Sequence, residues 1–348
     1  MMMFGISKIN TGMALLLPLI NNRIVPSASS CAKEVKPEKF EYDFGVIYTV
    51  AHKEKSIINY YTWDGNLVKS EKLHLAWLDM GFGSFGETNE NIYVKVDNKD
   101  GTIWRLNKEN GLHNLYDLSF NSLTISAEED IIYFANSNTS VSTISKYNVT
   151  TNQLEEIQLD KSITSVVFPF RENLYVSTYS KKDKSTLIYI LDKDDLSIID
   201  KFKNPLNSNI FRIYGTGEQI YFANSSDFDS GNGINILTEY NIVENKYTNY
   251  TLETDYLYEI FEYEDNLIIT HLNPPLSEGK VVTLFDLKQK SFNTISLENN
   301  LLHCTIKDDM FITCDMEYIY IYNLPSFQLL NKFPIAIDGY YISALFRR

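Results

Sequence analysis

The chain has 348 residues and carries 45 acidic against 31 basic side chains, a formal net charge of −14. A surplus of that sign repels phosphate backbones and anionic lipid surfaces, which argues against nucleic acid and against direct membrane adsorption. A body of some 300 residues buries a sizeable core without needing disulfide staples.

The first thirty residues stand apart in composition. Lys8 precedes an apolar run, Met13 to Ile20, and small residues (Ser27-Ala28-Ser29-Ser30) lead to Cys31. This pattern reads as a secretion signal of the lipoprotein type, with Cys31 as the lipidated first residue; the run is too short to span a bilayer. Asn21-Asn22-Arg23 interrupts the apolar approach and Ala28 stands where Leu is usual, so a disordered leader is the competing reading. Residues 31–39, charged and Pro-containing, form a tether. The expectation is an exported protein, extracellular or in the cell envelope, touching a membrane only through a lipid on Cys31. Removal of residues 1–30 leaves 29 basic against 45 acidic residues, and that acidity is read as a solubility device.

From residue 40 onward a unit recurs. Its first half is an apolar pair after a polar turn: Ile47-Tyr48, Ile92-Tyr93, Ile132-Tyr133, Leu174-Tyr175, Ile220-Tyr221, Leu267-Ile268 and Phe311-Ile312. Its second half is a large apolar residue followed by Asp or Asn: Trp63-Asp64, Leu106-Asn107, Tyr147-Asn148, Leu191-Asp192, Tyr240-Asn241, Phe285-Asp286 and Tyr322-Asn323. Successive Asp/Asn positions are 43, 41, 44, 49, 45 and 37 residues apart. Short β-branched and aromatic runs at that period predict an all-β fold, a seven-bladed β-propeller with four antiparallel strands per blade. The Asp or Asn closes the third strand by bonding backbone two residues on. Fourth strands are predicted at 154–159, 247–252 and 292–297. Innermost strands are predicted at 122–126, 163–167, 210–214, 257–261 and 302–306. The last strand, 340–346, is predicted to pair with residues 45–50 and close the ring, with 40–44 competing for that place; an open ring would leave aggregation-prone edges.

On these repeats the chain resembles the bacterial seven-bladed propellers grouped as YVTN or YncE-like, relatives of the WD-repeat fold. The likeness covers about residues 40–348 and lies in period and strand pattern. It includes no YVTN tetrapeptide, no Gly-His…Trp-Asp pairing and no Kelch double glycine. Such a fold hosts many functions.

Several constellations offer groups that could carry chemistry. A three-residue hairpin loop near 307–310 would set Cys304 opposite Cys314, where a disulfide is feasible; otherwise the two are buried free thiols. The loop Asn224 to Gly233 offers Asp227, Asp229, Asn232 and Asn235 as oxygen ligands, so a weak calcium site is the one cofactor left open, against a plain solvated hairpin. Gly81-Phe82-Gly83-Ser84-Phe85-Gly86 echoes a phosphate loop but reads better as close packing on an inner strand, since no helix follows. No zinc-type histidine spacing and no nucleophile elbow is present.

Propellers meet ligands near the axis, where the inner strands begin. The candidates there are Trp77, Asp79, Arg212, Tyr258, Glu259, His303 and Tyr341, a mixture suited to a protein or cell-surface glycan. The leading expectation is a non-catalytic, monomeric binding propeller. Two alternatives stay open: a propeller enzyme (lactonase, lyase or quinone-dependent dehydrogenase) with a central metal on Glu259, Asp79 and His303, and a structural element of an envelope complex.

Overall fold

The computed structural model describes residues 23–24, 40–50, 53–75, 85–96, 101–118, 124–137, 141–160 and 162–348. They form seven four-stranded antiparallel sheets, the blades of a propeller. Blade 1 takes its innermost strand, Tyr341–Arg347, from the end of the chain and the other three, Phe44–Thr49, Ser56–Tyr61 and Leu67–Leu73, from its start. The remaining innermost strands follow in order: Phe85–Glu87, Thr124–Glu128, Ile163–Phe170, Ser208–Thr216, Leu257–Tyr263 and His303–Lys307 for blades 2 to 7. The closure expected from the sequence is therefore present, with Ala344 paired to Ile47 and Phe346 to Gly45. Arg23–Ile24, inside the expected leader, lie antiparallel to the outer edge of blade 3, opposite Leu154 and Gln153.

The apolar pairs explain why the blades adhere. In a strand, neighbouring side chains point to opposite faces. Ile92 accordingly packs toward blade 1 and Tyr93 toward blade 3; Ile132 packs toward blade 2 and Tyr133 toward blade 4. The same division holds for Leu174-Tyr175, Ile220-Tyr221, Leu267-Ile268 and Phe311-Ile312. Each pair thus joins its blade to both neighbours, and the resulting apolar clusters run unbroken around the ring, the last joining Ile312 of blade 7 to Val46 and Leu345 of blade 1. Second strands are buried on both faces, whereas outer strands such as Ile198–Lys203 are almost wholly exposed.

Blade 1 departs from the expected alignment. The strand pairings put Phe44, not Ile47, at the place of Ile92, and Thr62, not Asp64, at the place of Asn107. The cause is the missing covalent turn between its two inner strands. Ring closure lets the two segments meet in whatever register buries Phe346.

The Asp/Asn positions behave as the sequence implied. Oδ1 of Asn107, Asn148, Asn241 and Asp286 each accepts hydrogen bonds from the amides two and three residues on. The turn then ends four residues later with a residue at positive φ: Gly111, Asn152, Asn245 and Lys290. Leu196 takes that place in blade 4 at φ 60°, four residues after Asp192, buried in the core between blades 3 and 4. Packing there outweighs the left-handed penalty.

Phe346 is fully buried among Tyr42 and Tyr60, and a Cβ on Gly45 would fall 2.0 Å from its ring. Phe346→Ala is expected to cost about 3–5 kcal/mol in urea unfolding. Gly45→Ala should also destabilise, yet add little on top of Phe346→Ala because the clash has gone. Additive losses would show that the two do not meet.

Candidate functional site

The polar candidates converge because of the inner strands' register. Thr124, Val166, Arg212, His303 and Ala344 pair with Ala135, Ser177, Ala223, Cys314 and Ile47, and the Glu259 amide bonds Thr270 Oγ1 at 3.0 Å. Each partner lies three residues beyond the start of its blade's apolar pair or, in blade 1, three beyond Phe44, which holds that place. These six residues consequently share one level around the channel. Blades 3, 4 and 1 contribute small or apolar side chains; blades 5, 6 and 7 contribute Arg212, Glu259 and His303.

A β-bulge adjoins this level in four blades: the register steps past Ser165, Phe211 and Ser343, and sets Tyr258 with Glu259 against Thr270 alone. Bulges twist a strand and re-aim its side chains. Here they set Phe211 and Tyr258 edge to face, with ring centroids 5.8 Å apart.

Arg212 Nη2 donates to Glu259 Oε1 at 3.1 Å across the boundary of blades 5 and 6. Burial raises the Glu259 carboxyl above its usual range, Arg212 opposes that, and Glu87 adds a repulsive push. His303 Nε2 donates to the Ile342 carbonyl at 3.2 Å, joining blade 7 to blade 1. Burial, opposed by that hydrogen bond and reinforced by Arg212, lowers its pKa to about 4. Its Nε2 proton fixes the neutral tautomer and leaves Nδ1 as an acceptor. Burial raises the Tyr258 phenol, with the Glu259 charge adding to it. Tyr341 begins the next inner strand and is 48% exposed. Trp77 and Asp79, like Cys31 and residues 81–84, lie outside the described residues.

Cys304 and Cys314 are buried free thiols. The hairpin has a two-residue loop, Lys307 pairing with Met310, so Cys304 faces Thr313 and Cys314 faces His303. One residue fewer than a three-residue loop turns the two sulfurs to opposite faces of the blade. Both thiols are pushed well up by burial. Gly86 bears out close packing on an inner strand, since a Cβ would come within 3.2 Å of Ala127 and Ile125.

The loop of blade 5 is shorter than the sequence suggested, because paired strands continue to Asp227 and resume at Gly233. Asn224 is buried and bonded to Asn204, Ser208 and Thr238. Asp227 Oδ1 accepts from Ser230 and from the Asp229 amide, closing the turn. Asp229 Oδ1 accepts from the Tyr179 hydroxyl, whose ring stacks on Phe228 at 3.6 Å. Asn235 donates to the Leu252 carbonyl, and Asn232 accepts through its backbone from Asp227. Asp227, Asp229 and Asn235 thus engage different partners: Ser230, Tyr179 and the Leu252 carbonyl. Among the described residues, no group of three or more His, Cys, Asp or Glu side chains gathers as a metal site would.

Sequence reasoning passed over Phe211, which sits half-buried at a bulge, and a cleft of about 260 Å³ on the same side of blade 6, lined by Asp255, Tyr256, His271 and Glu278 among others. His271 braces that cleft: Nδ1 donates to the Asp255 carbonyl at 2.9 Å and Nε2 accepts from Thr283 at 2.8 Å. Neither was legible, since each depends on strand register and its shifts rather than on a local sequence pattern.

No family model and no curated protein matches the sequence. Among solved structures, the fold is similar to a Bacteroides fragilis protein provisionally assigned as a 6-phosphogluconolactonase (9% identity, 90% of this chain and 100% of that one, TM-score 0.63). It is also similar to BamB from Moraxella catarrhalis (12%, 94% and 97%, TM-score 0.52) and to Sqt1 from Saccharomyces cerevisiae (10%, 89% and 98%, TM-score 0.54). At such identities the likeness is one of fold.

Burial lowers the pKa of His271, as of His303, to about 4. The folded state therefore favours the neutral rings. Their contribution is complete above about pH 6.5 and is lost as pH falls from there to about 4, at most about 3 kcal/mol for the fully buried His271. Urea midpoints at pH 7.5 and 4.5 should converge in His271→Gln relative to the parent; an unchanged gap would place the titration elsewhere.

Proposed function

We propose that this propeller is a non-catalytic binding module whose contact region is the channel mouth over blades 5 to 7. The observation that carries this reading is the state of the groups gathered there. Among the described residues of the channel level, the one cation and the one carboxylate already neutralise each other at 3.1 Å. The adjoining histidine is held neutral and the thiols are held protonated, so among the described residues no activated nucleophile stands beside a base there. What the mouth offers instead is hydrogen-bonding capacity flanked by aromatic faces, the composition of a recognition surface. The neighbouring blades hold it in place through their apolar clusters.

The leader pattern and Cys31 support an exported, lipid-anchored protein with this face presented to a protein or glycan partner of the envelope. The surplus of acidic residues suits solubility outside the cell.

Photo-cross-linking tests the face. A cross-linker in place of Tyr341 is expected to capture a partner in envelope preparations, and Arg212→Ala should reduce capture at least fivefold. The same group in place of Val243, which is 69% exposed on an outer turn of blade 5, should not capture it. Equal capture from both positions would move the contact off the channel. For the anchor, metabolic labelling with a fatty acid should mark the parent and not Cys31→Ser, which should leave the membrane fraction; an unlabelled parent would sink the lipoprotein reading.

A further inference from the structure

The charges at the channel mouth narrow the class of ligand. A carboxylate or phosphate approaching Arg212 meets Glu259, whose Oε1 lies 3.1 Å from the guanidinium; an ammonium approaching Glu259 meets Arg212. Either ion would have to break the existing pair, in a place where water is partly excluded: the side chains of Arg212 and Glu259 are 33% and 15% exposed. Breaking a desolvated pair leaves an uncompensated charge, which is costly. A ligand that leaves the pair intact avoids that loss.

The hydrogen-bonding groups left over are of both kinds. The guanidinium has five N–H donors and engages Glu259 through Nη2. Glu259 uses Oε1 for that bond and keeps Oε2 as an acceptor, while His303 commits Nε2 to Ile342 and keeps Nδ1 as an acceptor. Donors and acceptors side by side match a hydroxyl, which both gives and receives a hydrogen bond. Beside them stand the crossed rings of Phe211 and Tyr258 and the exposed ring of Tyr341. Such faces take the apolar C–H side of a sugar ring. Across the channel, Thr124, Val166 and Ala344 are short, so blades 3, 4 and 1 carry no charge at this level.

We propose that the channel mouth binds a neutral, hydroxyl-rich ligand, a sugar unit of an uncharged glycan, with Arg212, Glu259 and His303 bonding its hydroxyls and Tyr258 packing on its ring. This rests on the channel mouth being the contact region. A protein partner is the competing outcome.

The test is binding of the full chain to an array of immobilised glycans of three kinds: neutral hexose oligomers, uronic-acid oligomers and amino-sugar oligomers. The parent should bind neutral oligomers at least tenfold more tightly than either charged kind, and Tyr258→Ala should lose at least tenfold. Glu259→Gln retains an acceptor for Arg212 but removes the neutralising charge. It should therefore shift preference at least tenfold toward uronic-acid oligomers, a change that loss of structure alone would not produce; thermal melting checks that the variant is folded. A parent that prefers a charged glycan, or a Glu259→Gln variant with unaltered preference, overturns the proposal. If no glycan binds while the Tyr341 cross-link persists and remains sensitive to Arg212→Ala, the glycan class is wrong and the contact region stands. If that cross-link also fails, both fall.

Discussion

Everything in this molecule depends on apolar contact between neighbouring blades. A single four-stranded sheet of this size has two faces to bury, and among the described residues no helix covers either. There the partner for each face is another blade, so burial is complete only when the last blade meets the first. The chain satisfies that condition by lending its final strand to blade 1, where Phe346 enters a pocket of aromatic rings made by Tyr42 and Tyr60. The closure is therefore non-local in sequence, and it is the contact with the highest entropic cost to form. The buried aromatic weight at that seam, from Tyr42, Phe44, Tyr60 and Phe346, offsets the cost.

Closure also creates the site. Wrapping flat blades into a ring brings inner strands from different blades close together at the axis, and residues far apart in sequence become neighbours there. Arg212 and Glu259 lie 47 positions apart and form an ion pair; His303 reaches the carbonyl of Ile342, 39 positions on. The bulges beside this level let the same strands satisfy two demands. Below the bulge the residues alternate into the inter-blade cores, and at it Phe211 and Tyr258 turn toward each other. An uninterrupted ladder would hold every side chain to the inter-blade alternation.

How much of this could be read beforehand follows from which interactions are local. The Asp or Asn at the end of a third strand bonds amides two and three residues away, so its spacing alone revealed the blade period. The apolar pairs were equally visible, because a period-two strand buried on both faces must place apolar residues at successive positions. Blade 1 is offset by a few residues from the repeat because no turn links its two inner strands, so turn spacing does not set its register. The Cys304–Cys314 relation turned on one residue of loop length, which composition does not reveal. Leu196 at positive φ is invisible in the sequence, since its strain is offset by a core that blades 3 and 4 build together.

For the candidate site the division is similar. Choosing the start of each inner strand picked out Arg212, Tyr258, Glu259, His303 and Tyr341, and the fold sets all five on consecutive inner strands. That Arg212 and Glu259 are partners, that His303 is a neutral acceptor, and that Phe211 joins Tyr258 depends on register and bulges, which no local pattern encodes. The amino-acid sequence by itself determined the number of blades, the strands within each and the means of closing the ring, because these rest on periodicity and on hydrogen bonds between near neighbours. Only the tertiary structure decided which side chains share the channel mouth and in what charge state, because pairing and desolvation are properties of residues brought together from separate blades.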